Sequence, residues 1–253
     1  MSQALLQVCD LVRHFAGVRA VDGVSLEIDA GQCVALIGPN GAGKSTLFAC
    51  LAGQQAPTSG QVLWQGRNLL GKSPRQRLEM GLGRSFQVAQ VFEALSVLAN
   101  VQLALQARAA LISAWRPLAV WQIEQAMDLL GQAGLAELAG QTAGSLPYGA
   151  KKRLELAMVL AGQPRLLLLD EPAAGLAEQE RARLMAWVRS LVHQGLAVLY
   201  TEHNMDAVQG VADRVLVLIE GRLVAQGRFE QVAADPVVQA RYLGRLHEGR
   251  CHA

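Results

Sequence analysis

Alternation of apolar and polar residues predicts short β-strands at the start of the chain. The stretches LLQVCDLVRHF, AVDGVSLEID and GQCVALIG carry a strand-like pattern, and SGQVLWQGRNL alternates like a half-buried strand of an antiparallel sheet. GQCVALIG runs into a glycine-rich loop, and the segment GKSTLFACLAG that follows has helical spacing. The sequence therefore predicts the order strand, glycine loop, helix.

The pattern changes to helix after helix between Val88 and Gly162. The stretches VLANVQLALQARAALI, VWQIEQAMDLLGQ and YGAKKRLELAMVLAG have helical spacing, with almost no strand signal between them. We interpret residues 88–162 as a helical subdomain inserted into a larger domain.

Strand patterns return after this insertion. RLLLLD is the continuous apolar run expected of a central parallel strand that is covered on both faces. The helical stretch EQERARLMAWVRSLVHQG and the strand LAVLYTEH repeat the βα alternation. RVLVLIEGRLVAQG is typical of a hairpin that turns at Glu220 and Gly221, and two short helices are predicted after it. We expect residues 1–253 to form a single α/β domain.

Composition narrows the class of protein only slightly. A chain of 253 residues can bury roughly 75% of its unfolded surface. Its 23 Lys and Arg against 21 Asp and Glu give no reason to expect nucleic acid as a partner. The cysteines Cys9, Cys33, Cys50 and Cys251 form no C-x-x-C pair, which favours a reducing compartment. No apolar run approaches the ~18 residues of a membrane span, and we expect no signal peptide.

The glycine loop GPNGAGKS satisfies the pattern G-x-x-x-x-G-K-[ST]. Backbone N–H groups of such a loop curl around a phosphate, and the helix N-terminus behind it favours negative charge. A chance glycine turn is the alternative, which the flanking strand and helix patterns disfavour. Lys44 is expected to reach the outer phosphates and Ser45 to ligate magnesium. The predicted nucleotide-binding residues here are Gly38, Pro39, Asn40, Gly41, Ala42, Gly43, Lys44, Ser45 and Thr46.

Two adjacent carboxylates in LLLLDE supply the second half of this predicted site. Asp170, at the carboxyl end of a buried strand, is placed to hold magnesium. Glu171 directly after it is suited to orient and polarise an attacking water, although an ordinary surface glutamate is the alternative. This pairing favours hydrolysis over transfer to a second substrate, as in a small-molecule kinase. A GTPase is disfavoured because the chain has no N-K-x-D motif.

Six motifs in order resemble the nucleotide-binding subunits of ATP-binding cassette (ABC) transporters, from about Leu6 to Gly244. The resemblance implies ATP and Mg²⁺ as cofactors. It also implies a phosphate-loop NTPase core with an N-terminal antiparallel β subdomain and an inserted helical subdomain. The motifs are the loop at 38–46, Gln87 in RSFQ, the turn at 146–150, LLLLDEP, AAGLA, and TEH ending in His203.

The resemblance also implies roles for single residues. Phe15 would stack on adenine with Val18 beside it, whereas a strand aromatic of the core is the alternative. Gln87 would bind magnesium and the attacking water, and sense a membrane partner. His203 would contact the γ-phosphate and hold Glu171 and the water in line. Taken alone, Gln87 would be a solvated loop residue and His203 a structural one.

A second glycine turn, GSLPYGAKKR, opens a later helix. In the family, two subunits meet head to tail, and this signature turn caps the γ-phosphate held by the other subunit. The resemblance therefore implies that Gly149 completes a composite site in a dimer. The chain departs from the common L-S-G-G-Q at Pro147, Tyr148 and Ala150, and Ala177 stands where the family usually has aspartate or asparagine.

Within the family, the motifs are most similar to those of branched-chain amino acid uptake systems. Relatives of that group serve urea and short amides. The implied partners are a same or sister ATPase subunit, two transmembrane permease subunits and, indirectly, a periplasmic solute-binding protein. VAQVFEALSVLANV is either the permease-docking segment or a plain amphipathic core helix. The implied location is peripheral, on the cytoplasmic face of the inner or plasma membrane. A soluble ABC protein of translation or DNA repair and a regulatory module without turnover are the rival interpretations.

Overall fold

The computed structural model of the protein describes residues 4–85, 88–108, 122–203 and 205–243. Within these ranges the chain forms two sheets, with helices between and around them. The predicted α/β fold class is confirmed. The predicted strands and helices fall where the apolar pattern placed them, with ends that differ by a few residues.

The first sheet is antiparallel and contains four of the described strands in the order β2-β1-β4-β5. Strand β1 pairs with β2 on one side and with β4 on the other. β2 begins before the predicted stretch, because Ala16 and Gly17 already turn the chain back at Val18. The strands are β1 (Leu6–Phe15), β2 (Val18–Ile28), β4 (Ser59–Trp64) and β5 (Arg67–Asn68).

The second sheet forms the centre of the domain, with six described strands in the order β10-β9-β3-β8-β7-β6. All neighbours are parallel except β9 and β10, which form the predicted hairpin at Glu220 and Gly221. Every residue of β3, β7 and β8 is buried, and the continuous apolar run RLLLLD predicted this for β7. The strands are β3 (Cys33–Ile37), β6 (Leu82–Arg84), β7 (Leu166–Leu169), β8 (Ala197–Thr201), β9 (Arg214–Ile219) and β10 (Arg222–Gly227).

Helices cover both faces of the central sheet. α1 packs between the two sheets, and α6 covers the opposite face. α3, α4 and α5 share a separate apolar cluster within the predicted helical segment. The helices are α1 (Lys44–Leu51), α2 (Pro74–Glu79), α3 (Val97–Arg108), α4 (Ile123–Gln132), α5 (Tyr148–Ala161), α6 (Glu178–His193), α7 (Met205–Gln209), α8 (Phe229–Ala233) and α9 (Pro236–Val238).

Parallel pairing brings the functional loops to one edge of the central sheet. β3 lies directly beside β8, and β8 lies directly beside β7. Because the carboxyl ends of parallel strands meet at the same edge, the glycine loop, Asp170 and His203 all follow strands that end side by side. No helix among the described residues has the length and apolar character that a bilayer crossing needs.

The buried Arg77 side chain fixes the end of α1. Its guanidinium donates four hydrogen bonds, to the carbonyl oxygens of Cys50 at 2.8 Å, Leu51 at 2.6 Å, Leu69 at 2.9 Å and Lys72 at 3.2 Å. The first two are terminal carbonyls of α1, which need partners outside the helix and favour a cation. Burial lowers the pKa of this guanidinium, and Cys50 acts in the opposite direction. Arg77 therefore anchors the helix that begins at Lys44.

Replacing Arg77 with methionine tests this anchor. We expect the free energy of unfolding to fall by about 3 kcal/mol or more, because four carbonyl oxygens each lose a hydrogen bond from the guanidinium at once. Urea unfolding followed by circular dichroism measures the change. Arg75→Met is the matched control, since Arg75 lies on the same helix, is exposed and pairs with Glu79 at 3.0 Å. The control should change stability by about 1 kcal/mol or less. Equal effects of the two substitutions would contradict the anchor.

Candidate active site

The glycine loop lies wedged between two strands. A Cβ on Gly38 would collide with the carbonyl oxygen of Leu218 in β9, and a Cβ on Gly43 would collide with that of Ala20 in β2. Gly43 also has a φ of 101°, which favours glycine. Both positions therefore require glycine for their fit against neighbouring backbone. This close fit orients the loop towards the N-terminus of α1.

Lys44 lies inside this loop. Its Nζ donates hydrogen bonds to the carbonyl oxygens of Gly38 at 2.6 Å and Pro39 at 3.0 Å. Burial lowers the pKa of the ammonium, while the carboxylates of Glu171 and Asp170 act to raise it. The lysine and the two predicted carboxylates therefore lie within electrostatic range of one another.

The remaining loop residues divide into a solvent side and a packed side. Asn40, Gly41 and Ser45 are exposed, and Pro39 and Thr46 are half-buried. Ala42 is buried, and its carbonyl oxygen accepts a hydrogen bond from the Gly221 N–H at 2.9 Å. The β9–β10 hairpin turn thus supports the loop from behind and leaves the solvent side accessible.

Asp170 is held by two partners at the end of β7. Thr201 Oγ1 donates to Asp170 Oδ1 at 2.8 Å, and the Arg84 guanidinium lies 3.4 Å from Oδ2. Arg84 also donates to the Gln54 side chain, near the end of α1. Asp170 is therefore a buried and oriented carboxylate.

Glu171 is fixed at its backbone and at its side chain. Its N–H donates to Thr201 Oγ1 at 2.8 Å, and its Oε1 lies 2.6 Å from His203 Nε2. Its φ of 47° is uncommon for a residue other than glycine. Glu171 and His203, predicted separately from two motifs, thus meet in one pair.

Thr201 is the residue that the sequence analysis missed. It is fully buried and joins Asp170 to Glu171 through a single hydroxyl. The only sequence signal was a polar residue closing the apolar run LAVLYT, beside the quoted TEH. Arg84 was missed as well, although it stands in the quoted RSFQ. Gln87 lies outside the described residues.

Phe15 and Val18 face each other across the turn of the β1–β2 hairpin. Both are exposed, at 38% and 65%. The guanidinium of Arg13 lies 4.5 Å from the centroid of the Phe15 ring. Phe15 is therefore no core aromatic. The same strand β2 contacts the loop at Gly43, so the exposed ring lies on the strand pair that adjoins the loop.

The signature turn packs within its own chain. Pro147 is the N-cap of α5 and has no polar side-chain atom to cap it. Gly149 is buried, and the atoms nearest to the position of a Cβ on it belong to Glu180 of α6. Ala177, the second departure, is the N-cap of α6, where its methyl group supplies no acceptor.

These residues fit ATP and Mg²⁺. The loop offers N–H groups at the start of α1, a cation at Lys44, the exposed hydroxyl of Ser45 and the carboxylate of Asp170. Among the described residues, no group of three or more His, Cys, Asp or Glu side chains forms a separate metal site. The chemistry therefore suits a metal shared with a bound phosphate rather than one caged by protein.

Comparison with known sequences gives one consistent family. The family described as ABC transporter matches residues 21–174. The high-affinity branched-chain amino acid transport ATP-binding protein LivG of Salmonella typhimurium is 39% identical, over 96% of this chain and 99% of LivG. BraF of Pseudomonas aeruginosa, of the same description, is 36% identical over 96% and 99%. The methionine import protein MetN of Mesorhizobium japonicum is 37% identical over 93% of this chain but 63% of its own length.

Comparison with solved structures agrees. The ADP conformation of MJ1267, an ATP-binding cassette of an ABC transporter, has a TM-score of 0.85 and 29% identity, and the match covers 96% of this chain and 100% of that one. cbiO1 from Clostridium perfringens, part of the ABC transporter complex cbiONQ, has a TM-score of 0.80 and 29% identity, over 98% and 100%. The similarity therefore extends well beyond the phosphate loop.

Replacing Thr201 with valine tests the hydroxyl bridge. We expect the free energy of unfolding to fall by about 2 kcal/mol, because Asp170 and the Glu171 N–H both lose a buried partner while the shape is kept. Thr201→Ser is the control, since it keeps the hydroxyl and loses about 0.8 kcal/mol with the methyl group. Urea unfolding and ATP hydrolysis are measured on both. Wild-type stability and turnover in Thr201→Val would contradict the bridge.

Proposed function

Because the chain belongs to the ABC transporter family, we propose that it hydrolyses ATP to energise solute uptake through separate membrane subunits. The observation that carries this proposal is the convergence of the buried Lys44 with Asp170 and the His203-paired Glu171. A regulatory module that only binds ATP would not need Glu171 held from both ends. This arrangement supports turnover over mere binding.

We assign the binding roles as follows. Loop N–H groups and Lys44 hold the phosphates, and Ser45, Asp170 and Gln87 hold the magnesium ion. When bound, Mg²⁺ neutralises charge on the phosphates. Phe15 stacks on adenine beside Val18, and its exposed ring supports this assignment.

The catalytic roles follow from the described pair. Glu171 accepts a hydrogen bond from water, orients it towards the γ-phosphorus and takes up its proton as the water attacks, while the bond from the γ-phosphorus to the oxygen of the departing ADP breaks. His203 holds the Glu171 carboxylate through the 2.6 Å contact and stabilises charge near the γ-phosphate. Gln87, as a second ligand of the water, stays a prediction from the motif.

We further propose that two ATPase subunits, identical or sister chains, assemble head to tail. The signature turn of each would cap the nucleotide on the other, with Gly149 and the N–H groups at the start of α5 facing the γ-phosphate. These N–H groups belong to the first helical turn, where backbone N–H groups have no acceptor within their own helix. The departures at Pro147 and Ala150 leave backbone groups to make the contact.

The membrane partners are proposed from an exposed apolar surface. Val88 and Phe92 follow the RSFQ motif, precede α3 and are 64% and 52% exposed. An amphipathic core helix would have buried them, and α3 begins only at Val97. We propose that they receive a cytoplasmic segment of a permease subunit. That docking would hold the chain peripherally at the cytoplasmic face, and residues 88–162 would act as the inserted lobe of the single domain.

Branched-chain amino acids are the proposed solutes. LivG and BraF, named for their transport, match this chain over nearly their whole length, whereas MetN extends well beyond the match. Urea or short amides are the alternative cargo. A periplasmic solute-binding protein would select the solute and act on this chain only through the permease subunits.

Glu171→Gln tests hydrolysis and assembly together. We expect turnover to fall at least about 100-fold, because the neutral amide cannot take the proton. ATP binding should persist, and analytical ultracentrifugation with Mg·ATP should show a trapped dimer. Glu137→Gln, an exposed position in the helical segment, is the control and should keep wild-type turnover. Unchanged turnover in Glu171→Gln would overturn the assigned base. A persistent monomer that binds ATP would indicate a sister subunit as partner.

Transport by the reconstituted complex tests the solute. Proteoliposomes containing the chain, its permease subunits and luminal ATP are supplied with the solute-binding protein and radiolabelled leucine. We expect leucine uptake that needs ATP and is lost with Glu171→Gln. Uptake of urea or acetamide without leucine would contradict the branched-chain assignment and leave the ATPase role intact.

A further inference from the structure

Two contacts join the signature turn to the segment that follows Glu171 in the same chain. All three carboxylate atoms of Glu180, Cδ, Oε1 and Oε2, lie 2.6 Å from the position that a Cβ on Gly149 would take. The ring of Tyr148 lies 3.5 Å from the corresponding position on Gly175. The first distance is shorter than a Cβ would allow without a shift of Glu180, and the second is an ordinary van der Waals distance.

Glu180 lies in a defined electrostatic setting. It stands in the first turn of α6 and is half-buried. The pKa of the Arg153 guanidinium, on α5, is lowered by burial, and the Glu180 carboxylate acts to raise it. Arg153 in turn donates to the Ala133 carbonyl oxygen at 2.8 Å. The carboxylate therefore lies between α6 and the start of α5, within range of a cation fixed in the helical segment.

The start of α6 has no side-chain cap. Ala177 is its N-cap, where the family's aspartate or asparagine would accept from an N–H of the first turn. The chain between Glu171 and Glu180 includes Gly175 in a left-handed conformation, with a φ of 74°. Glu180 and Tyr148 are side chains that lie between this segment and the signature turn.

We propose that Glu180 is a positioning residue that fixes the signature turn to the segment following Glu171, so that each subunit presents its turn to its partner in register with its own catalytic carboxylate. This inference rests on the proposed composite site. It also changes the meaning of Gly149. A side chain at this position would displace the Glu180 carboxylate within one subunit, besides hindering the approach of a phosphate from the other.

ATP-driven dimerisation in the Glu171→Gln background is the test, because it reports on the turn without hydrolysis. Glu180→Ala should weaken dimerisation about tenfold or more, equivalent to about 1.4 kcal/mol, and leave monomer ATP affinity within about twofold. Glu180→Gln keeps the size and removes the charge, and serves if the alanine variant folds poorly. Glu178→Ala, an exposed glutamate in the same helical turn, is the control.

A double-mutant cycle adds a readout that a merely structural role for Glu180 would not produce. Gly149→Ala places a methyl group against the Glu180 carboxylate and should weaken dimerisation. Because Glu180→Ala removes the obstacle, the double variant should dimerise about as well as Glu180→Ala alone, so that the two effects are not additive. If the effects of Gly149→Ala and Glu180→Ala on dimerisation were additive, the contact between the two residues would not be the cause of either effect.

The two ideas fail in different ways. In the first case, the Glu171→Gln protein dimerises with ATP, and adding Glu180→Ala changes dimerisation no more than adding Glu178→Ala does. This result would overturn the positioning role of Glu180 and leave the composite site unaffected. A parent that binds ATP and stays monomeric, alone and with its sister ATPase, would overturn the composite site and the positioning role with it.

Discussion

The close approach of the glycine loop to neighbouring backbone is the constraint on which the site depends. Gly38 and Gly43 lie where any side chain would collide with the carbonyl oxygens of Leu218 and Ala20. The loop is therefore fixed in one position, between the central sheet and the antiparallel sheet. This position sets the direction of α1, and Arg77 fixes the C-terminal end of the same helix. The two sheets and the helix between them thus form one rigid support for Lys44 and Ser45.

A second constraint concerns the carboxylates. Asp170 and Glu171 are adjacent in sequence, and we propose different roles for them. Glu171 takes a left-handed backbone conformation, and the Thr201 hydroxyl hydrogen-bonds to both residues. One buried hydroxyl therefore lies between the carboxylate proposed to bind metal and the residue proposed to bind water. Thr201 is the last residue of the neighbouring strand β8, and His203 follows it two residues later. The hydroxyl bridge and the side-chain partner of Glu171 therefore come from the same strand and its end.

The order of the strands and helices and several residues of the candidate site could be predicted from the sequence. Apolar periodicity gave the strand and helix order, and the continuous run in β7 gave its central position. Motif order gave the loop, Asp170, Glu171 and His203. Thr201 and Arg84 were not predicted, because their importance lies in cross-strand neighbours that only the fold brings together. The contact of Gly149 with Glu180 was hidden for the same reason, since the two residues belong to different helices. The glycine pattern drew attention to the turn without revealing what lies against it.

The order of strands in the central sheet has a consequence for synthesis of the protein. β3, which supports the glycine loop, has β8 and β9 as its two neighbours, and both come from far later in the chain. Pairings of such large sequence separation form slowly, and on the ribosome they must wait for the later strands to emerge. The antiparallel sheet, built from residues 6–68, has no such wait. A nascent chain therefore carries its complete phosphate-loop motif long before it has a folded place for a nucleotide, and acquires that place only after β8 and β9 have emerged.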